Sequence, residues 1–278
     1  MRRKPIAFID SGVGGLPYLA QTRRLLPDES YLYVADRANF PYGRKPGRRI
    51  VAAVESLVEK LVAREDPRLF VIACNTASVV ALEALRARFP IPFVGVVPAV
   101  KPAAAASGHR RIGVLATRGT VEGKYLRDLV ERFAAGCTVV SLPAGELVDF
   151  VEQESLETSR EQRLARVAFE VDRFREAGID TLVLGCTHFL HLEEEFCELL
   201  AAEGIQVIDS RDGVARQVAR LLDAVPAGTQ RASGDGRGLA ASPGAPGGAF
   251  YVTGDPPIEE RYRLFAERFG LSFAGVLA

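Results

Sequence analysis

Tryptophan is absent from this 278-residue chain, methionine occurs once, histidine three times and cysteine four times. Four thiols (Cys74, Cys137, Cys186 and Cys197) are too few for a disulfide scaffold of this size. Lysine is scarce: Lys4, Lys45, Lys60, Lys101 and Lys124 are the only five among 35 basic residues. A pyridoxal-phosphate enzyme needs a Schiff-base lysine, and none of the five follows a recognisable strand end. Net charge is also missing, because 35 acidic residues balance the 35 basic ones. That argues against a polyanion binder, so no direct nucleic-acid partner is expected. No apolar run is long enough to span a bilayer, so no membrane partner is expected. The opening MRRKPIAFIDSG has too short an apolar part for a secretory signal. The setting these absences predict is a reduced cytoplasm with free thiols.

What is present is an alternation. Short apolar, β-branched runs at 6–9, 31–35, 69–73, 93–97, 112–116, 138–142, 181–184, 206–208 and 250–253 read as buried strands of a parallel sheet. Amphipathic stretches at 50–63, 79–89, 121–133, 160–177, 192–203, 214–224 and 258–269 read as helices. The pattern predicts an α/β protein, and the length predicts about two domains. Chain crossings near 98–108 and 208–211 divide it into residues 1–98 plus 209–278, carrying Cys74, and residues 99–208, carrying Cys186. The Gly/Ser/Ala/Pro-rich stretch 228–248 is expected to be a flexible surface loop.

Three segments can carry chemistry. Asp10-Ser11-Gly12-Val13-Gly14-Gly15 follows the first strand, where ligands bind in open α/β sheets. Its glycines allow close approach of an anion to backbone amides. The run lacks the full dinucleotide spacing and a later acidic partner, so a carboxylate suits it as well as a phosphate, and a purely structural turn is the alternative. Cys74-Asn75-Thr76 ends another strand and opens a helix, a place that lowers a thiol pKa. Alone, Cys74 would read as a small buried hydrophobe. Gly185-Cys186-Thr187-His188 repeats the placement and adds an imidazole. The spacing gives no metal set, a reduced compartment disfavours a disulfide, and single-cysteine nucleophilic catalysis leaves one thiol unused. Two matched thiols across a cleft suit stereoinversion: one removes a proton from a carbon and the other returns a proton to the opposite face. Asp10, Glu152 and His188 are candidates to tune them. Cys137, Cys197, His109 and His191 read as structural residues.

IDSGVGGL, ADRANFPYG, ACNTAS, ATRGTV, LGCTH and FYVTGDP occur in the order and spacing of glutamate racemases, and the resemblance spans essentially the whole chain. It implies two pseudo-symmetric, doubly wound α/β domains with mainly parallel sheets and the active site between them. It implies a cofactor-independent enzyme that interconverts L- and D-glutamate and supplies D-glutamate for peptidoglycan. By matching position, Cys74 and Cys186 are the acid/base thiols, assisted by Asp10 and His188, with Glu152 an acidic residue nearby. Ser11, Pro41, Tyr42, Gly43, Asn75, Thr76 and Thr187 match substrate-binding positions, as do Asp10 and His188. Of Thr117 and Thr120, Thr120 is the closer match. No cofactor and no metal are implied, a homodimer is expected, and DNA gyrase is a conceivable protein partner. Two departures bear on specificity: Asp36-Arg37-Ala38-Asn39 stands where the family reads Asp-Thr-Ala-Arg, and Phe189-Leu190-His191-Leu192 lacks the family's proline. The alternatives are an aspartate racemase or related enzyme, and a non-catalytic amino-acid or protein-binding relative.

Overall fold

The computed structural model describes residues 4–224 and 248–277. The 228–248 stretch therefore lies outside the described residues except for Gly248. The strands are β1 (Ile6–Asp10), β2 (Tyr31–Ala35), β3 (Leu69–Ile72), β4 (Phe93–Gly95), β5 (Arg111–Ala116), β6 (Thr138–Pro143), β7 (Thr181–Leu184), β8 (Gln206–Ile208), β9 (Ala249–Val252) and β10 (Ser272–Val276). The helices are α1 (Leu16–Leu25), α2 (Gly47–Glu65), α3 (Asn75–Arg88), α4 (Val100–Ala106), α5 (Arg118–Val121), α6 (Lys124–Phe133), α7 (Gly145–Gln153), α8 (Arg160–Glu176), α9 (Glu193–Leu200), α10 (Arg211–Ala224) and α11 (Glu260–Arg268).

Two sheets result, with strand orders β10-β9-β2-β1-β3-β4 and β6-β5-β7-β8. Every strand pairing in both is parallel. The segment β2-β1-β3-β4 has the same winding as β6-β5-β7-β8, which puts β3 and β7 in equivalent places. Parallel strands joined by helices are covered on both faces. The sequence of β1, IAFID, is accordingly buried at all five residues. Its register, Ile6 opposite both Tyr31 and Leu69, brings the ends of β1, β2 and β3 to one edge.

Helix α2 shows the packing logic. Ile50, Val54, Leu57, Val58 and Leu61 form its buried stripe at helical spacing. One apolar core joins the two sheets, holding Phe8 and Leu16 together with Leu115, Leu147, Phe174, Leu182 and Phe189. Fully burying a side chain of this kind contributes about 1.5–3 kcal/mol. No described helix is long and apolar enough to cross a membrane.

All nine expected strands are present within a residue or two. The tenth, β10, has no counterpart in the sequence pattern, because SFAGV is a half-buried edge strand interrupted by Gly275, whose φ is +91°. Helices α1, α4 and α7 also go beyond the expected set. The alanine-rich part of the 98–108 crossing is helical as α4. The expected 121–133 helix breaks at Gly123 into α5 and α6. Cys137 is half-buried, but Cys197 is exposed on α9, which corrects its reading as a packed residue: it falls on that helix's solvent side, while Phe196 and Leu200 face the core.

Candidate active site

Cys74 and Cys186 occupy the same place in the two equivalent strand–helix units. Each lies two residues beyond its strand, β3 or β7, in extended backbone (φ/ψ −138°/124° and −135°/137°). Each then caps a helical turn: α3 for Cys74, the 3₁₀ turn Thr187–Leu192 for Cys186. Both are nearly buried, at 7% and 6% exposure, and both line one cavity of about 820 Å³. That volume is ordinary for a small-molecule site.

Ser11, Pro41, Tyr42, Gly43, Asn75, Thr76, Thr187 and His188 line the same cavity. Asp10, Glu152 and Thr120 do not; they stand behind its wall. Thr117 is the lining threonine, and Thr120 is tied to it by a hydroxyl–hydroxyl hydrogen bond of 3.1 Å. Asn75 is 4% exposed, and its side-chain carbonyl oxygen has no hydrogen-bond partner among the described residues. A buried acceptor without a partner is costly.

The two thiols have different neighbours. Cys74 lies within hydrogen-bond reach of Asp10. Burial and the Asp10 charge push its pKa well above the usual thiol value. The amide of Ala77 at the start of α3 pulls the other way and is outweighed, so the expectation of a lowered pKa at this helix start is overturned. Asp10 itself is fully buried. Burial raises its pKa from 3.8 to about 6, against the opposing pull of His188. Its Oδ1 accepts from the Ser11 amide (2.6 Å) and its Oδ2 from the Thr187 hydroxyl (3.3 Å), joining the two cysteine motifs.

Cys186 instead faces an imidazole. Burial works against charge on His188, but hydrogen bonds to Cys186 and Glu152 and the nearby Asp10 override it, and its pKa stands well above 6.5. Glu152 on α7 is 1% exposed and is held from three sides. Its Oε2 accepts from the Val13 amide (2.9 Å) and from His188 Nε2 (3.0 Å), and its Oε1 accepts from the Tyr262 hydroxyl (2.9 Å). Only glycine fits at positions 12 and 14, which face this pair. A Cβ on Gly12 would stand 2.2 Å from Glu152 Oε2, and one on Gly14 would stand 2.3 Å from His188 Nδ1.

The sequence departures have structural answers. Arg37 reaches across to the 253–259 segment, donating to the carbonyl oxygens of Thr253 and Pro257 and pairing with Glu259. Beside it, Asp36 accepts from Tyr42 and Thr253 hydroxyls, both at 2.6 Å, and so fixes Tyr42 at the cavity. His191 fills a half-buried place in the turn that carries His188. It lies edge-on to Phe265 and Phe269, and its Nε2 donates to the Val13 carbonyl (3.0 Å). Burial drops its pKa to about 3, so it stays neutral, in keeping with a structural residue.

Tyr33, Tyr262, Arg44 and Asp149 carry no motif in the sequence. Tyr33 threads the glycine loop, donating to the Gly12 carbonyl (2.8 Å) and accepting from the Gly15 amide (3.0 Å). A tyrosine inside an otherwise apolar buried strand is the signal that could have found it. Arg44, from the first sheet's loops, forms an ion pair at the cavity rim with Asp149 of α7. Among the described residues no group of three or more His, Cys, Asp and Glu side chains is placed to hold a metal ion.

The raised pKa of Asp10 gives a stability prediction. Between pH of about 4 and about 6 the folded chain holds this proton and the unfolded chain releases it. Stability therefore falls by about 3 kcal/mol across that window and stays lower at neutral pH. Asp10→Asn removes this cost. Thermal melts should show a higher Tm than the parent protein at pH 7, with the gain vanishing near pH 4, and turnover should fall.

The profile of the family described as Asp/Glu/Hydantoin racemase matches residues 18–218. A glutamate racemase of Treponema pallidum (strain Nichols) is 40% identical over 273 residues, covering 98% of this chain and 96% of the relative. The chain belongs to the aspartate/glutamate racemase family. It is a racemase, and so an isomerase. A glutamate racemase of Shewanella baltica (strain OS185) is 44% identical over 219 residues, 79% of each chain. Among solved structures, Escherichia coli glutamate racemase, in complex with L-glutamate and activator UDP-MurNAc-ala, superposes with a TM-score of 0.84 at 37% identity, covering 99% of this chain and 98% of that one. The Thermus thermophilus glutamate racemase gives 0.68 at 34% identity, covering 99% and 96%. The two-sheet α/β architecture is that of these racemases.

Proposed function

We propose that this racemase interconverts L- and D-glutamate without a cofactor, one of Cys74 and Cys186 removing the α-proton and the other delivering a proton to the opposite face. The observation that carries the mechanism is the matched placement of the two thiols at the ends of β3 and β7, both on one cavity. The thiolate of one cysteine takes the α-proton from one face, and the thiol of the other gives a proton to the opposite face. The reverse reaction exchanges the roles, so no net proton is consumed. Imidazolium His188 stabilises a thiolate at Cys186, while buried Asp10 holds the Cys74 proton and accepts it when that thiol must act as base.

Asn75, which lines the cavity and whose side-chain carbonyl oxygen has no partner among the described residues, would turn that oxygen to the substrate ammonium, and the Ser11, Thr76, Thr117 and Thr187 hydroxyls would hold its carboxylates. Two lobes, residues 1–98 plus 209–278 and residues 99–208, supply one thiol each. Glutamate rather than aspartate is supported by the relatives at 40–44% identity, which are glutamate racemases. Supply of D-glutamate for peptidoglycan in the cytoplasm, by a homodimer, completes the reading.

The test is circular dichroism of purified protein offered L- and D-glutamate and L- and D-aspartate. Loss of optical rotation with both glutamate enantiomers, and little with aspartate, supports the proposal. Activity confined to aspartate, or none, contradicts it. Asn75→Ala should raise KM for glutamate about tenfold while changing kcat less, since it leaves an ammonium donor unpaired in the complex. Initial rates in both directions check this.

A further inference from the structure

We propose that Tyr262 is a positioning residue for the reaction, acting through Glu152 to keep the shared proton of the Glu152–His188 pair on the imidazole behind Cys186. The proposal rests on the two-thiol reading above and adds a residue that no sequence motif marked.

Tyr262 lies on α11, after the second chain crossing, 110 positions from Glu152. It is 1% exposed and belongs to the core that joins the sheets. Its hydroxyl donates to Glu152 Oε1, the oxygen His188 does not use. With Oε1 anchored by Tyr262, Oε2 is aimed at both the Val13 amide and His188 Nε2. Burial and the Glu152 carboxylate raise the Tyr262 pKa far above its usual value, so the phenol remains a donor.

A carboxylate that accepts from two fixed donors besides the histidine competes less well for the histidine's proton. The proton then stays on the ring, and the ring keeps the charge that stabilises a Cys186 thiolate. The other groups facing this pair do not replace the contact. Asp10, Cys186 and His191 face His188, and Asp10 and Tyr33 face Glu152. Tyr33 donates to the Gly12 carbonyl instead. Arg261 neighbours Tyr262 on the same helix and pairs with Glu259.

With three histidines in the chain, ring-¹⁵N labelling resolves His188 directly. In wild-type protein at pH 7 both ring nitrogens of His188 should be protonated. In Tyr262→Phe, which keeps the buried ring, the His188 signals should move towards a neutral imidazole, and kcat for glutamate should fall about tenfold with KM within about threefold. Site-specific 4-aminophenylalanine at position 262 retains a weaker donor. It should give a smaller displacement of the same sign, and it preserves the test where Tyr262→Phe fails to fold. An unchanged His188 spectrum in these variants overturns the proposal, even where activity drops, since that marks a structural role only. Wild-type protein that shows no racemisation would refute the two-thiol reading instead, so the two failures are separable.

Discussion

Replacing either Cys74 or Cys186 by serine lowers glutamate racemisation by at least about a thousandfold. Removing a positioned acid/base group commonly costs two to four powers of ten. Here a thiol is exchanged for a hydroxyl that is a far weaker acid in the same buried place. The folded state should survive, because serine has nearly the shape of cysteine and both sites sit just beyond strand ends, on the cavity wall. The two variants should fail in opposite ways. Each retains one thiol on one face of the substrate carbon. Residual exchange of the α-proton with solvent should therefore be confined to one enantiomer in Cys74→Ser and to the other in Cys186→Ser. Proton NMR of each enantiomer in deuterated buffer checks this. Near-parental racemisation by either variant would show that its thiol moves no proton.

Gly12→Ala should lower turnover about a hundredfold although it adds a single methyl group. That methyl would stand 2.2 Å from Glu152 Oε2 and 2.6 Å from its carboxyl carbon. Neither partner can give way cheaply. Glu152 is tied by Val13, His188 and Tyr262, and the backbone of the loop is tied through Gly12 itself to Tyr33. Moving the carboxylate displaces His188, and a shift of about 1 Å at a catalytic group can cost about a hundredfold. Overpacking of this kind also destabilises by about 1–3 kcal/mol. Thermal melts and kcat measured on the same preparation separate the two effects. A variant with unchanged kcat would show that the loop adapts and that the Glu152 contact does not set the geometry.

The strands and the two thiols are legible in the sequence because their signals are local. A β-branched apolar run followed by Gly-Cys-Thr or Ala-Cys-Asn contains both the strand and its functional end. The equal strand orders of the two sheets explain why the two motifs look alike. Glu152 has little local signal beyond its carboxylate, and the family resemblance is what ties it to the site. Its helix α7 has no clear sequence signal, and its contacts to Val13, His188 and Tyr262 span 139, 36 and 110 positions. Such partners leave no trace in local periodicity. Tyr262 is the extreme case, one aromatic in the charged helix ERYRLFAER. The choice between Thr117 and Thr120 is likewise beyond the sequence, because both lie in one short turn and only the fold decides which hydroxyl faces the cavity.

The central claim is that inversion proceeds by two thiols on opposite faces. Its most direct test is the fate of the α-proton when wild-type protein converts D-glutamate in deuterium oxide, followed at early times. The account predicts that the L-glutamate formed carries deuterium at the α-carbon while the remaining D-glutamate still carries protium. L-glutamate that retains the original proton, or deuterium appearing equally in both enantiomers from the first turnovers, would contradict it.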